Sequence, residues 1–330
     1  LGIGDAQGMA TDAANGELFI LDGAGPRVVR VKPGPDGGFG EAAASVVDLR
    51  KAGVAGARGI ALDPASGHLY VYSGADQELV ELTGSGQIVA GRDLSGFNLQ
   101  APQGMVIAPS GDQTDDAAQM SLYLADSEAG TIVEFSFVRP PELLRFRSLM
   151  STPVMNRLVQ SIDTSLWIPS SPDPAGIVYM PSTTSLPNSL LVSDSEVNEN
   201  SECDPNPPSA PSHCFTGDNL FQSDLSGNLV STLTTMNFLY NDPTDSHSDE
   251  PTGVTLNPAN NHLFFSDDTG ARRIYELDPG ADGLYDTADD TVTESNTRNF
   301  GCPDAEGVTY ASTSGALFIA CGLNNEIYQV

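Results

Sequence analysis

The stretch "GHLYVYSGADQELVEL", residues 67–82, decides the fold. Its first half is an aromatic and aliphatic run from Leu69 to Tyr72 that stops at Ser73-Gly74, and its second half is an apolar run from Leu79 to Leu82 entered through a polar turn. Aromatic and β-branched residues bounded by such turns read as two strands of a hairpin. The pattern recurs as "GELFILDG" and "RVVRV" (16–23, 27–31), "MSLYLADS" and "TIVEF" (120–127, 131–135), and "NSLLVSDS" and "NLFQSDL" (188–195, 219–225). Two more copies are "NHLFFSDD" with "RIYEL" (261–268, 273–277) and "GALFIACG" with "EIYQV" (315–322, 326–330).

Upstream of each hairpin stands a third motif, a polar lead-in followed by glycine and an aliphatic residue. These are "DAQGMATD" at Gly8, "GARGIALD" at Gly59, "APQGMVIAP" at Gly104, "DPAGIVYMP" at Gly176, "DEPTGVTLNP" at Gly253 and "PDAEGVTYAS" at Gly307. Six copies of a unit of three or four antiparallel strands, spaced 45 to 77 residues apart, fit an all-β, six-bladed β-propeller, in which each blade buries its faces against its neighbours. A β-sandwich leaves six similar units unexplained. The chain reads as one propeller domain over residues 1–330, with blades starting near residues 5, 56, 101, 173, 250 and 304. Helical periodicity is weak and confined to residues 142–160.

The longest intervals, Gly104 to Gly176 and Gly176 to Gly253, carry the insertions "VRPPELLRFRSLMSTPVMNRLVQSIDTSLWIP" and "EVNENSECDPNPPSAPSHCFTG". Long insertions on a rigid scaffold are where binding surfaces commonly reside. After "EIYQV" the chain ends, which leaves blade six without an outer strand. Residues upstream of Leu1 supply that strand, or the edge stays open and pairs with another chain.

Composition narrows the function. Acidic residues number 44 against 14 basic ones, a net charge of −30, and mean hydropathy is −0.15. Such a surface repels phosphate backbones, which argues against nucleic acid, and concentrates cations. No apolar run is long enough for a membrane span. Of the four cysteines, Cys203 and Cys214 bracket a proline-rich loop, and Cys302 and Cys321 flank one predicted hairpin; two disulfides are expected, in an oxidising, secreted or cell-surface setting, although four cysteines allow three connectivities. The chain starts at Leu1 with no basic segment followed by an apolar run, so any signal peptide lies outside this numbering.

Catalytic motifs are scarce. No HExxH, GxSxG or plausible Cys-His pairing is present, and His68 and His262 hold matching repeat positions. A phytase-like propeller needs cations around its phosphates, and the basic residues here are scattered. Asp22, Asp126, Asp194 and Asp267 each end a second strand and are expected to cap the turn that follows. A further set, Asp5, Asp173, Glu250 and Asp304, lies three residues before the repeat glycine, with Glu306 directly before its own; acids entering innermost strands can converge on the channel, where oxygen-only ligands suit calcium. Paired carboxylates there also suit acid–base hydrolysis.

The repeats "GHLYVYSGADQELVEL", "SLYLADSEAGTIVEF" and "HLFFSDDTGARRIYEL" resemble NHL-type repeats and the SMP-30/gluconolactonase group of six-bladed propellers, in their bacterial extracellular form. The resemblance covers nearly the whole chain. It implies a central calcium site held by Glu, Asn and Asp, and Glu306-Gly307 is similar to the first metal motif of those lactonases. The corresponding positions in other blades are Gln7, Arg58, Gln103, Ala175 and Thr252, which depart from that pattern. The segment "DPGADGLYDTADD", with Asp278, Asp282, Asp286, Asp289 and Asp290, resembles a "DGxxxTxDD" loop of extracellular repeat proteins associated with calcium, and "PGPDGGFGE" (33–41) looks like a reduced copy. Dense carboxylates repel unless a cation neutralises them, and Gly280 and Gly283 let backbone carbonyls turn inward, so calcium is expected there as a stabiliser of the hairpin.

The expected function is a secreted, calcium-stabilised binding or assembly module whose partner is a protein, a surface glycan or a second copy meeting the open last blade. The alternative is a calcium-dependent lactonase or esterase working through the channel acids.

Overall fold

Second strands in this chain are apolar on both faces, and in the fold both faces are covered. The computed structural model describes residues 1–35, 37–39, 42–116, 118–137, 156–183, 186–195, 218–235, 250–267 and 273–330. Six antiparallel sheets result. Blade one is β1 (Ala6–Thr11), β2 (Leu18–Asp22), β3 (Arg27–Lys32) and β4 (Ala43–Asp48). Blade two is β5 (Ala57–Leu62), β6 (Leu69–Ser73), β7 (Glu78–Leu82) and β8 (Ile88–Asp93), and blade three is β9 (Pro102–Pro109), β10 (Met120–Asp126), β11 (Thr131–Phe137) and β12 (Asn156–Asp163). Blade four comprises β13 (Pro174–Met180), β14 (Ser189–Asp194), β15 (Leu220–Asp224) and β16 (Leu229–Leu233). Blade five comprises β17 (Pro251–Asn257), β18 (His262–Asp267), β19 (Arg273–Asp278) and β20 (Thr291–Asn296). Blade six has three strands, β21 (Ala305–Ala311), β22 (Ala316–Cys321) and β23 (Glu326–Gln329).

The innermost strands β1, β5, β9, β13, β17 and β21 pack one on the next, and β21 returns to β1, so the ring is closed. Close approach explains the repeat glycine: a Cβ on Gly104 would stand 2.4 Å from the carbonyl oxygen of Ala175, and one on Gly176 would stand 2.8 Å from that of Thr252. The core is accordingly not one body but six apolar layers, one between each pair of blades. Phe19, Leu21 and Val28 meet Ile60 and Val71 between blades one and two, whereas Leu18, Ile20 and Val29 meet Ala316 and Phe318 on the other face of blade one. That double burial is why β2, β6 and β14 are buried throughout, while the outer strands β4 and β20 are largely exposed.

In five of the blades the residue ending the second strand is a latch. Asp126 is fully buried and accepts from the backbone N–H groups of Gln100 (2.8 Å) and Ala101 (2.7 Å), which lead into β9. Asp22 accepts from Gly4 and Asp5 N–H in the lead-in to β1, and Asp194 accepts from Asp173 N–H and the Ser171 hydroxyl. These aspartates therefore tie down the incoming connection from the previous blade; among them a bond into the following turn is found at Asp22, to Ala24 N–H. Asp22 thus makes the expected turn cap as well as the lead-in bonds, whereas the bonds found for Asp126 and Asp194 go to the lead-in. A burial of 0–2 % explains the choice, because a buried carboxylate needs several donors and the lead-in supplies them. Blade two uses Ser73, whose hydroxyl bonds the backbone of Ala55. Blade six uses Cys321, bonded covalently to Cys302 of its own lead-in. Cys203 and Cys214 lie outside the described residues.

Of the weakly helical stretch 142–160, residues 156–160 belong to β12; the remainder lies outside the described residues. No helix among the described residues is long and apolar enough to cross a membrane.

Candidate functional site

The axis of the ring contains a cavity of about 440 Å³. Each blade contributes the residue before its repeat glycine: Gln7, Arg58, Gln103, Ala175, Thr252 and Glu306. Met9, Ile60, Met105, Ile177, Val254 and Val308 form the apolar layer beside them. Of the five acids expected to converge, Glu306 is the one that lines this cavity. Its side chain is exposed to the space of the channel, but desolvation by the surrounding strands, followed by repulsion from Asp304 and Asp5, raises its pKa above the ordinary glutamate value. Asp5 accepts from the Gln7 side-chain amide at 2.7 Å, and Asp304 accepts from Leu323 N–H at 3.1 Å. Glycines make this packing feasible, since a Cβ on Gly322 would stand 2.1 Å from Glu306 Oε1 and one on Gly23 would stand 2.7 Å from Asp5 Oδ2. Asp173 and Glu250 occupy the equivalent lead-ins of blades four and five, where the Asp173 N–H is held by Asp194.

The acidic hairpin between β19 and β20 lies on the outer strands. Its carboxylates serve its own backbone: Asp278 accepts from Gly280 N–H, Asp282 from Leu284 N–H, Asp289 from Ala281 N–H, and Asp290 from Asp286 and Thr287 N–H. Asp282, Asp289 and Asp290 also converge on the single hydroxyl of Thr287, at 3.4, 2.9 and 3.0 Å. One hydroxyl carries one proton, so two of those oxygen pairs meet without a hydrogen between them. Asp286 and Asp290 are raised by burial and by neighbouring acids, whereas Asp289 is lowered by the Ala281 N–H and Thr287. Among the described residues no three histidine, cysteine or acidic side chains are grouped so as to hold a metal ion. This holds for the channel acids and for the acidic hairpin alike.

Repeat histidines are structural. His68 Nδ1 meets Glu81 at 2.6 Å and His262 Nδ1 meets Glu276 at 2.7 Å, both across adjacent strands. In blade one the same two positions are Glu17 and Arg30, paired at 2.7 Å with the charges exchanged.

The remaining feature is the margin of blade six. Leu317 and Val330 exchange both backbone hydrogen bonds, so by alternation Tyr328 and Glu326 also face β22, and the N–H and C=O groups of Ile327 and Gln329 point away from the sheet. Between blades five and six is a groove of about 710 Å³, floored by Phe264, Ile274, Phe300, Leu317 and Ile319 and edged by Glu276 and Glu294. Sequence reading gave blade six three strands within residues 1–330, but the groove depends on side chains from six strands, β17 to β22, and has no signal of its own.

The fold and its axial cavity define a six-bladed β-propeller. No protein-family model and no curated protein sequence matches the chain. Similar solved structures include hydrazine synthase of Kuenenia stuttgartiensis, at 14% identity and a TM-score of 0.58, covering 100% of this chain and 96% of that one. A gluconolactonase from Xanthomonas campestris is 16% identical with a TM-score of 0.53, covering 99% and 86%. A putative 6-phosphogluconolactonase from Bacteroides uniformis is 11% identical with a TM-score of 0.55, covering 100% and 81%. At such identities the likeness concerns the fold.

Proposed function

We propose that the protein is an extracellular binding module in which the edge of β23, unpaired among the described residues of 1–330, accepts an extended segment as the fourth strand of blade six, from a partner protein or from sequence of its own outside these residues. The observation that carries this reading is the edge of β23, where Ile327 and Gln329 present backbone donors and acceptors beside an apolar groove. Strand addition uses these two elements together, with main-chain bonds for affinity and side-chain pockets for specificity. Charge chooses the partner: a second copy brings another −30, whereas a basic strand meets Glu276, Glu294 and the exposed Glu326 favourably. The Cys302–Cys321 disulfide is compatible with an oxidising compartment.

A panel of synthetic strands with alternating apolar residues tests this, with lysine or glutamate at the remaining positions. Lysine strands bind, and N-methylation of alternate residues abolishes binding. Gln329→Pro removes an outward N–H without disturbing the pairing to β22, so it also abolishes binding. Equal binding to the Gln329→Pro variant, or no binding of any strand, overturns the reading.

Calcium belongs to this proposal as a stabiliser of the acidic hairpin, where the Thr287 hub and the raised Asp286 and Asp290 mark charge that a cation relieves. A second reading, hydrolysis in the channel, is favoured by one observation: Glu306, held toward its protonated form beside Asp5 and Asp304, is placed to donate a proton in the cavity. Assays on simple lactones and esters with Glu306→Gln test it. Turnover that survives the substitution contradicts it.

A further inference from the structure

Two charged side chains line the axial cavity, Arg58 on β5 and Glu306 on β21, both directly before a repeat glycine. Both are exposed, so their surfaces are open to the channel rather than sealed between blades. Among the described residues the Arg58 guanidinium makes no hydrogen bond or ion pair, and the Glu306 carboxylate accepts no hydrogen bond. Elsewhere arginines pair with the carboxylate in reach: Arg27 with Asp22 at 2.8 Å, Arg30 with Glu17 at 2.6 Å and Arg157 with Asp112 at 2.6 Å.

The ring itself keeps Arg58 and Glu306 apart. Strand β1 packs on β5 at one side and on β21 at the other, so Gln7 stands between them at the same repeat position. Gln7 Nε2 donates to Asp5 at 2.7 Å and Gln103 Nε2 donates to Ser127 at 3.0 Å, which leaves their carbonyl oxygens as acceptors. Asp5 and Asp304, whose repulsion helps to raise the Glu306 pKa, deepen the negative potential at that end. One level of the cavity thus runs from a negative end through a neutral acceptor to a positive end, with both charges unpaired.

We propose that the axial channel binds a small zwitterion, an amino carboxylate whose ammonium group meets Glu306 and the Gln7 carbonyl and whose carboxylate meets Arg58. An ammonium offers three donors to oxygen acceptors, and the in-plane donors of a guanidinium match the two carboxylate oxygens. The volume of about 440 Å³ lies in the range of small-molecule sites. Net charge points the same way: a chain at −30 opposes a free anion, an amine alone leaves Arg58 unused, and a zwitterion meets both ends without net charge.

Calorimetric titration of the whole chain tests this with β-alanine, γ-aminobutyrate and ε-aminocaproate, which differ in the distance between their charges. Each is compared with the amine and the carboxylate of the same chain length, butylamine and butyrate in the case of γ-aminobutyrate. The best zwitterion binds with a Kd below about 1 mM and at least about tenfold more tightly than either singly charged counterpart. Arg58→Gln weakens the zwitterion by about tenfold or more without weakening the amine, and Glu306→Gln does so without weakening the carboxylate. That crossed pattern separates the two ends of one ligand from a general loss of fold. No zwitterion binding at about 10 mM, equal affinity for a singly charged counterpart, or binding that neither substitution alters overturns the proposal. These readouts need neither turnover nor the edge of blade six, so they stand apart from both readings above.

Discussion

Removing one latch measures how far the ring depends on its lead-ins. Asp126→Ala deletes a fully buried carboxylate that accepts from two backbone N–H groups, at 2.8 and 2.7 Å, and leaves both donors without their acceptor. Hydrogen bonds to a charged group contribute about 1.5–3 kcal/mol each, so sharing one carboxylate puts the loss at about 3–5 kcal/mol. With an unfolding entropy of about 2.1 cal/mol/K per residue, a chain of this length has about 0.7 kcal/mol/K, and Tm falls by about 4–7 °C. Asp126→Asn keeps one acceptor oxygen and should lose about half as much. Scanning calorimetry and urea titration give both numbers. A correctly folded Asp126→Ala protein whose Tm falls by less than about 1 °C refutes the latch reasoning.

Three further outcomes follow from the same geometry. Breaking the Cys302–Cys321 bond by Cys321→Ala should cost about 3 kcal/mol, given the separation of 19 residues; Cys302→Ala with Cys321→Asp should recover part of it by restoring the latch of the other blades, and a double variant no more stable than Cys302→Ala with Cys321→Ala contradicts the equivalence. Glu306, raised by burial and by Asp304 and Asp5, binds its proton more tightly folded than unfolded, so its contribution to stability falls as pH rises from the ordinary glutamate range through the folded value. Glu306→Gln should therefore be more stable than the parent at neutral pH and equal to it in acid, with a pH-independent difference as the contrary result. Millimolar calcium should raise Tm in the parent and do so less in an Asp289→Asn, Asp290→Asn variant; an equal rise in both removes the hairpin as the site.

Much of the fold was legible because each blade repeats one arrangement of constraints. The doubly buried runs at "LFIL" and "LYVY" require cover on two sides, and the repeat glycines mark where inner strands approach. The position directly before the glycine, singled out for Glu306 by the lactonase resemblance, lines the cavity in all six blades, whereas the acids three residues before the glycine are not in its lining. What the sequence did not show was direction. Asp126 reaches back across 25 and 26 residues to Ala101 and Gln100, a partner that no local turn rule proposes. Likewise the acids at the lead-ins resemble one another in sequence, yet local bonds from Gln7, Leu323 and the Asp173 backbone determine which of them come near Glu306.

The edge of β23, unpaired among the described residues, bears most directly on the proposed function, and amide hydrogen exchange on residues 326–330 examines it. In the free chain, Tyr328 and Val330 are bonded to β22 and should exchange slowly, while Ile327 and Gln329 should exchange at least about a hundredfold faster. A basic strand peptide should then slow Ile327 and Gln329 alone. Uniform protection of all four amides in the free chain would contradict the account, because the edge would already be paired.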